Sequence, residues 1–144
     1  MYKSIVLTLG LLISVNTYAM TFEHARDIYK HILKANHIVF APPLLLDKSL
    51  ENNAYNTGFT ISINQGMLNY VRNDDEMALV LGHELGHSKD GDIDNELTAD
   101  SYGATVIIRA GYNKCIGAQA LARLHDVGDS VHPPSTYRVK HLGC

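Results

Sequence analysis

The sequence predicts an α+β domain, mainly helical, with a small β-sheet. Three observations carry this. Several segments place apolar residues at helical spacing, one segment alternates apolar and polar residues, and no internal repeat or long linker divides the chain. Of the 144 residues, 46% are hydrophobic and 19% charged, which excludes a disordered or low-complexity polypeptide. The formal net charge is −3 and no run of five or more Lys/Arg occurs, so a nucleic-acid partner is not expected. Eight His in a chain without Trp make metal chemistry the class to test.

The N-terminus carries an address. Met1-Tyr2-Lys3 is a short cationic start, and the apolar run Ile5 to Val15 follows. That run is well below the roughly 20 residues needed to span a bilayer, but it suits the hydrophobic region of a signal peptide. Thr17-Tyr18-Ala19 offers small residues before a cut after Ala19. The expected organisation is a signal peptide over residues 1–19 and one domain over 20–144, exported to the periplasm or secreted. No stable membrane insertion is expected after cleavage; the alternative is an uncleaved N-terminal anchor. Export would permit Cys115 and Cys144, the only two cysteines, to pair; the alternative is two unrelated thiols.

Thr21 to Asn36 reads as an amphipathic helix, with Phe22, Ala25, Ile28, Tyr29, Ile32 and Leu33 on one stripe. His37 to Phe40 is a short apolar run stopped by Pro42-Pro43, and Leu44-Leu45-Leu46 suggests a second short strand. Asn52 to Asn56 is turn-rich. The clearest strand opens at Gly58, where Phe59, Ile61 and Ile63 alternate with Thr60, Ser62 and Asn64 as on a half-buried sheet. Asn73 with Glu76 forms a capping-box pattern ahead of a helix from about Asp74 to Ser88, which carries Met77, Val80, Leu81 and Leu85. A polar loop around Gly91 leads to a helix from about Glu96 to Ala110, ended by Gly111 at the C′ position. Asn113 caps a further helix to about Leu124, and Pro133-Pro134 break the chain before a short terminal helix.

The chemistry concentrates between His83 and Asp100. His83-Glu84-Leu85-Gly86-His87 is an HExxH pentapeptide. Its i, i+4 spacing puts both imidazoles on one helix face, one turn apart, where they can share one metal ion. Glu84 lies about 100° around the helix, placed to reach a metal-bound water rather than the metal. Chance predicts roughly 0.015 such pentapeptides in a chain of this composition. The alternative, two surface His and a salt-bridged Glu, sits poorly with the apolar residues preceding the motif.

A zinc site needs a third protein ligand. Asp90, Asp92, Asp94, Glu96 and Asp100 are near. A metzincin extension would need Gly and a ligand where this chain has Asp90 and Ile93, so that reading fails. In a helix–loop–helix hairpin the first turn of the second helix returns beside His87, so Glu96 can complete the site. Asp100, one turn further, could accept a hydrogen bond from a ligand imidazole and fix its tautomer. Glu96 could also be a first-turn carboxylate serving the helix dipole.

These motifs resemble the gluzincin peptidases that include HtpX and the CAAX prenyl endopeptidases. The resemblance rests on His83–His87 followed by Asn95-Glu96-Leu97-Thr98-Ala99-Asp100-Ser101-Tyr102-Gly103, an HExxH and later ExxxD pattern. It extends to Ala110-Gly111-Tyr112-Asn113, to His132-Pro133-Pro134-Ser135 with Arg138, and to the Gly58–Leu68 segment. It implies a zincin-like metallopeptidase domain with its small sheet beside the HExxH helix. It also implies one zinc ion on His83, His87 and Glu96, Glu84 as the catalytic carboxylate, and a protein or peptide substrate. His132, Tyr137 and Arg138 become candidate donors to the charge that develops on the scissile carbonyl, and each could equally be structural. Only eight residues separate His87 from Glu96, shorter than in the membrane members, which implies a minimal, soluble, exported version.

The expected chemistry is peptide hydrolysis by a metal-activated water with Glu84 as general base. The strand Phe59 to Ile63 is expected to bind extended substrate along its edge. The competing class is a catalytically inactive zinc-binding or chaperone-like module. It is weakened by the retained Glu84 and by an open metal position, since structural zinc prefers four protein ligands.

Overall fold

The computed structural model describes residues 18–89, 95–124, 126–130 and 132–144. Most of the expected signal peptide and the loop aspartates Asp90, Asp92 and Asp94 lie outside them. The architecture is mainly helical with one small sheet, the predicted α+β class.

Helix α1 (Phe22–Ala35) starts at Thr21, whose hydroxyl accepts the His24 N–H at 3.1 Å. Its Ala25, Ile28, Tyr29 and Ile32 enter the core at i, i+3, i+4 and i+7, the predicted stripe. It ends at Asn36, whose side-chain amide donates to the carbonyls of Ile32 and of Val106 on a later helix. Met20 is buried just ahead of α1, and the Tyr18 hydroxyl donates to Asp74 at 2.6 Å.

The sheet contains β1 (Leu44–Asp47), β2 (Ala54–Asn56) and β3 (Ile61–Asn64) in the order β1-β3-β2. β1 runs parallel to β3, and β2 antiparallel. Three expectations are corrected here. The apolar run His37–Phe40 forms no strand, and Val39 and Phe40 are exposed. The Asn52–Asn56 segment, expected as a turn, supplies β2. The strand expected from Phe59 begins only at Ile61, because Thr57 closes a turn over Phe59 by accepting the Thr60 N–H on its hydroxyl and donating its own N–H to Thr60 O. Phe59 sits 86% exposed at the tip of that turn, so the alternation ran through two different structures. β3 is also the central strand with both edges paired, so it offers no edge to a substrate. All four of its residues are buried.

Helix α2 (Gln65–Tyr70) follows β3 directly. Its Gly66 is dictated by proximity: a Cβ there would lie 2.2 Å from Leu50 O. Helix α3 (Asp74–Lys89) is the central element, with ten of its sixteen residues buried. Asn73 caps it, accepting the Glu76 N–H at 2.9 Å, but the other half of the predicted capping box does not form. Glu76 instead turns inward, accepts the Arg72 N–H at 2.8 Å, and meets Arg123 through two bonds of 2.6 and 2.7 Å.

Helix α4 (Glu96–Arg109) is capped by Asn95, and Gly111 takes φ +89° just past its end, as its C′ position predicts. It packs along α3 through Gly82 and Gly103, where a Cβ on either would come within 3 Å of the other's backbone. Helix α5 (Lys114–Leu124) is capped by Asn113 and packs on the other flank of α3. Helix α6 (Ser135–His141) lies against α5 and α4. A disulfide joins Cys115 to Cys144, with Cα atoms 5.3 Å apart. Among the described residues, no helix is long and apolar enough to cross a membrane.

Candidate metal centre

α3 and α4 bring three donors together. His83 and His87 lie one turn apart on α3, and their Nε2 atoms are 3.0 Å from each other. Glu96, in the first turn of α4, places Oε2 at 3.3 Å from His83 Nε2 and Oε1 at 3.5 Å from His87 Nε2. Tetrahedral zinc with bonds of about 2.0–2.1 Å separates its ligands by roughly 3.3–3.4 Å. The observed spacings bracket that value, so this donor set fits one zinc ion. Among the described residues, His83, His87 and Glu96 form the one cluster with this property.

His83 and Glu96 are held from behind. His83 donates Nδ1–H to Asp100 Oδ1 at 2.8 Å, leaving Nε2 aimed into the cluster. Asp100 is almost wholly buried and receives Arg138 Nε at 2.8 Å and Nη2 at 2.7 Å. Arg138 also places Nη1 3.1 Å from Glu96 Oε2, so one guanidinium ties both carboxylates to α6. His87 Nδ1 is buried with no hydrogen-bond partner among the described residues, so packing and Nε2 alone orient that ring.

The charges follow from these contacts. Burial opposes an imidazolium at His83, but its bonds to Asp100 and Glu96 prevail and raise it to about 9. Burial and the neighbouring His83 charge lower His87. Burial also opposes ionisation of Asp100, yet bonds from Arg138 and His83 hold it down at about 2. Glu84, buried beside the cluster without such a bond among the described residues, is pushed up by burial to about 7. A carboxyl poised near neutrality can both accept and return a proton.

The centre opens into a cleft of about 380 Å³. His83, Glu84, His87, Glu96, Asp100, His132 and Arg138 all line it. His132 stands at the rim, half exposed, with Nε2 4.0 Å from Glu96 Oε1 and Nδ1 3.1 Å from Asp129. Tyr137 does not join them: it is 55% exposed and outside the cleft lining, because it lies on the outer side of α6. Arg138 is present, but its guanidinium faces the carboxylates rather than the open cleft.

The sequence did not point to Asn56. Its side-chain amide donates to the Glu84 carbonyl at 2.6 Å and to the Ser88 hydroxyl, which pins β2 to α3 at the Glu84 position. An Asn in a turn-rich stretch carries no signal for such a contact.

A family model, that of peptidase family M48, matches residues 20–94. The match takes in the HExxH helix and ends before Glu96, so the geometry above brings in Glu96, Asp100 and Arg138 independently. No curated protein and no solved structure matches the chain.

Proposed function

The chain belongs to peptidase family M48, a family of zinc metallopeptidases, and from that premise we propose that it is a zinc-dependent endopeptidase. The observation that carries the proposal is the near-tetrahedral spacing of two imidazole nitrogens and the Glu96 carboxylate, beside a buried carboxyl near neutrality. Zinc on His83, His87 and Glu96 would polarise the scissile carbonyl and lower the pKa of a water in the remaining position toward about 7.

The protein groups supply the rest. Glu84 takes the proton from the attacking water as its oxygen bonds to the carbonyl carbon, and passes that proton to the amide nitrogen as the C–N bond breaks. Asp100 keeps the His83 proton on Nδ1 and so presents Nε2 to the metal. Arg138 balances the negative charge of Asp100 and Glu96. His132 is the rim group positioned to donate to the carbonyl oxygen, with Asp129 orienting its ring.

Substrate is held on β2. Asn53 O and Thr57 N–H point to β3, so the backbone groups of Ala54 and Asn56 face the other way, along the edge of the cleft. An extended peptide pairing there gains affinity from main-chain bonds with little sequence demand.

The reading includes export. The disulfide suits an oxidising compartment. Cleavage after Ala19 would release Tyr18 from Asp74 and leave His24 as a side-chain partner at 2.8 Å. N-terminal sequencing of protein recovered from the cell envelope should begin at Met20.

Metal content of variants tests the ligand set. Glu96→Ala should lose zinc and chelator-sensitive cleavage together. Asp100→Ala should weaken zinc affinity or activity by roughly 10–100-fold. Zinc retained at one equivalent in Glu96→Ala contradicts the assignment.

A further inference from the structure

β2 pairs with β3 along one edge and packs on α3. Main-chain bonds make the first attachment, but one side chain makes the polar part of the second. Asn56 donates both amide hydrogens to α3, one to the Glu84 carbonyl at 2.6 Å and one to the Ser88 hydroxyl. Its Oδ1 accepts the Gly58 N–H at 2.7 Å, and Gly58 holds φ +86° as the chain turns toward β3. Among the described residues, β2 makes no other hydrogen bond to α3.

Each of these bonds restricts what can stand at residue 56. Inside α3 the Glu84 carbonyl accepts the Ser88 N–H on one lone pair, which leaves its second for Asn56. Ser88 lies one turn further on the same face, so the amide bridges that turn. The Gly58 N–H requires Oδ1 on its side, which turns both Nδ2 hydrogens toward α3. Alanine can make none of these bonds. Aspartate keeps the acceptor for Gly58 but has no hydrogen to donate.

The main chain of the same residue faces elsewhere. The N–H and C=O groups of Ala54 and Asn56 point away from β3, along the edge of the cleft. A peptide paired there rides on a strand whose height over α3 is set at Glu84 itself.

Resting on the peptidase reading above, we propose that Asn56 is a positioning residue, which fixes the distance between a peptide held on β2 and the Glu84 carboxyl. The peptide needs only the Asn56 backbone, so its binding is separable from its alignment. Misplacing reacting groups by about 1 Å can cost on the order of 100-fold in rate, and here that loss falls on kcat.

Steady-state kinetics of the zinc-loaded protein on blocked, internally quenched octapeptides provide the test. Asn56→Ala and Asn56→Asp should each lower kcat tenfold or more, with KM within threefold of wild type and one zinc per chain. Asn56→Asp keeps the side-chain size and the Gly58 contact, so it reports the lost donors even if Asn56→Ala does not fold. Ser88→Ala keeps the Glu84 bond and should hold kcat within threefold. Wild-type kcat in Asn56→Asp, or a loss carried by KM alone, overturns the inference and leaves the peptidase reading standing. Loss of zinc from Asn56→Asp also overturns it, because the side chain would then be serving the fold. So does a fall in Ser88→Ala as large as that in Asn56→Asp, which would put the effect at Ser88. A wild type that binds zinc and cleaves none of the peptides removes the peptidase reading and this inference with it.

Discussion

Gly86 lies against Ala99 so closely that a Cβ on Gly86 would stand 2.6 Å from Ala99 Cα and 2.7 Å from Ala99 O. This contact lies one residue before His87 and three after Glu96, so it sets how near those two side chains come. The HExxH helix and the helix that carries Glu96 share a crossing that only a glycine at this position allows.

Gly86→Ala should therefore do more than destabilise. Overpacking of this kind costs about 1–3 kcal/mol, and here the displaced atoms are backbone. Zinc affinity should fall at least tenfold in a variant that still folds, as read by competition with a chromophoric chelator. Ala99→Gly should not restore it, because the clash is with main-chain atoms. Unchanged zinc affinity in Gly86→Ala would show that the α3–α4 distance does not govern the site.

The metal-free protein should depend on pH through His83 and Asp100. His83 is raised from 6.5 to about 9, so its stabilisation is complete below pH 6.5 and is lost as pH rises through 9. Asp100 is lowered from 3.8 to about 2, so its stabilisation is present above pH 3.8 and is lost as pH falls through 2. Glu84, raised from 4.5 to about 7, adds to the loss at high pH. Thermal melts in chelator should show Tm falling below about pH 4 as Asp100 takes a proton. Tm should also fall as pH rises, first above about pH 4.5 as Glu84 loses its proton and further above about pH 6.5 as His83 does, and Asp100→Asn should flatten both limbs. Zinc uptake near pH 7.5 should release about one proton, measurable by calorimetry in buffers of different ionisation enthalpy.

Much of this centre was legible in the sequence, for physical reasons. The i, i+4 spacing of His83 and His87 needs only helical periodicity, and Glu96 needs only a short hairpin. The caps at Asn73 and Asn113 follow from local hydrogen bonding, and both form. What the sequence hid depends on distant partners. Glu76 carries a local capping pattern, yet Arg123, 47 residues on, takes its carboxylate. Phe59 fits an alternating strand, yet Thr57 bends the chain before Ile61. β2 looked like a turn because its three residues become a strand only by pairing with β3.

The disulfide should matter to the centre, because it anchors the end of α6, which carries Arg138. Closing a loop of this length is worth about 3–4 kcal/mol in the chain-entropy model. Cys115→Ser with Cys144→Ser should lower stability by an amount of that order and weaken zinc retention. Intact mass of the native protein under non-reducing conditions should be two hydrogens below the dithiol. Free thiols at both positions contradict the pairing and leave the zinc ligands untouched.

The central claim is that three ligands hold zinc while Glu84 moves the proton. Zinc content and peptide cleavage, measured side by side on wild-type and Glu84→Gln protein, test it most directly. One zinc per chain in both proteins, with chelator-sensitive cleavage in the wild type alone, is the predicted result. Equal behaviour of the two in cleavage, whether both active or both inert with zinc bound, would contradict it.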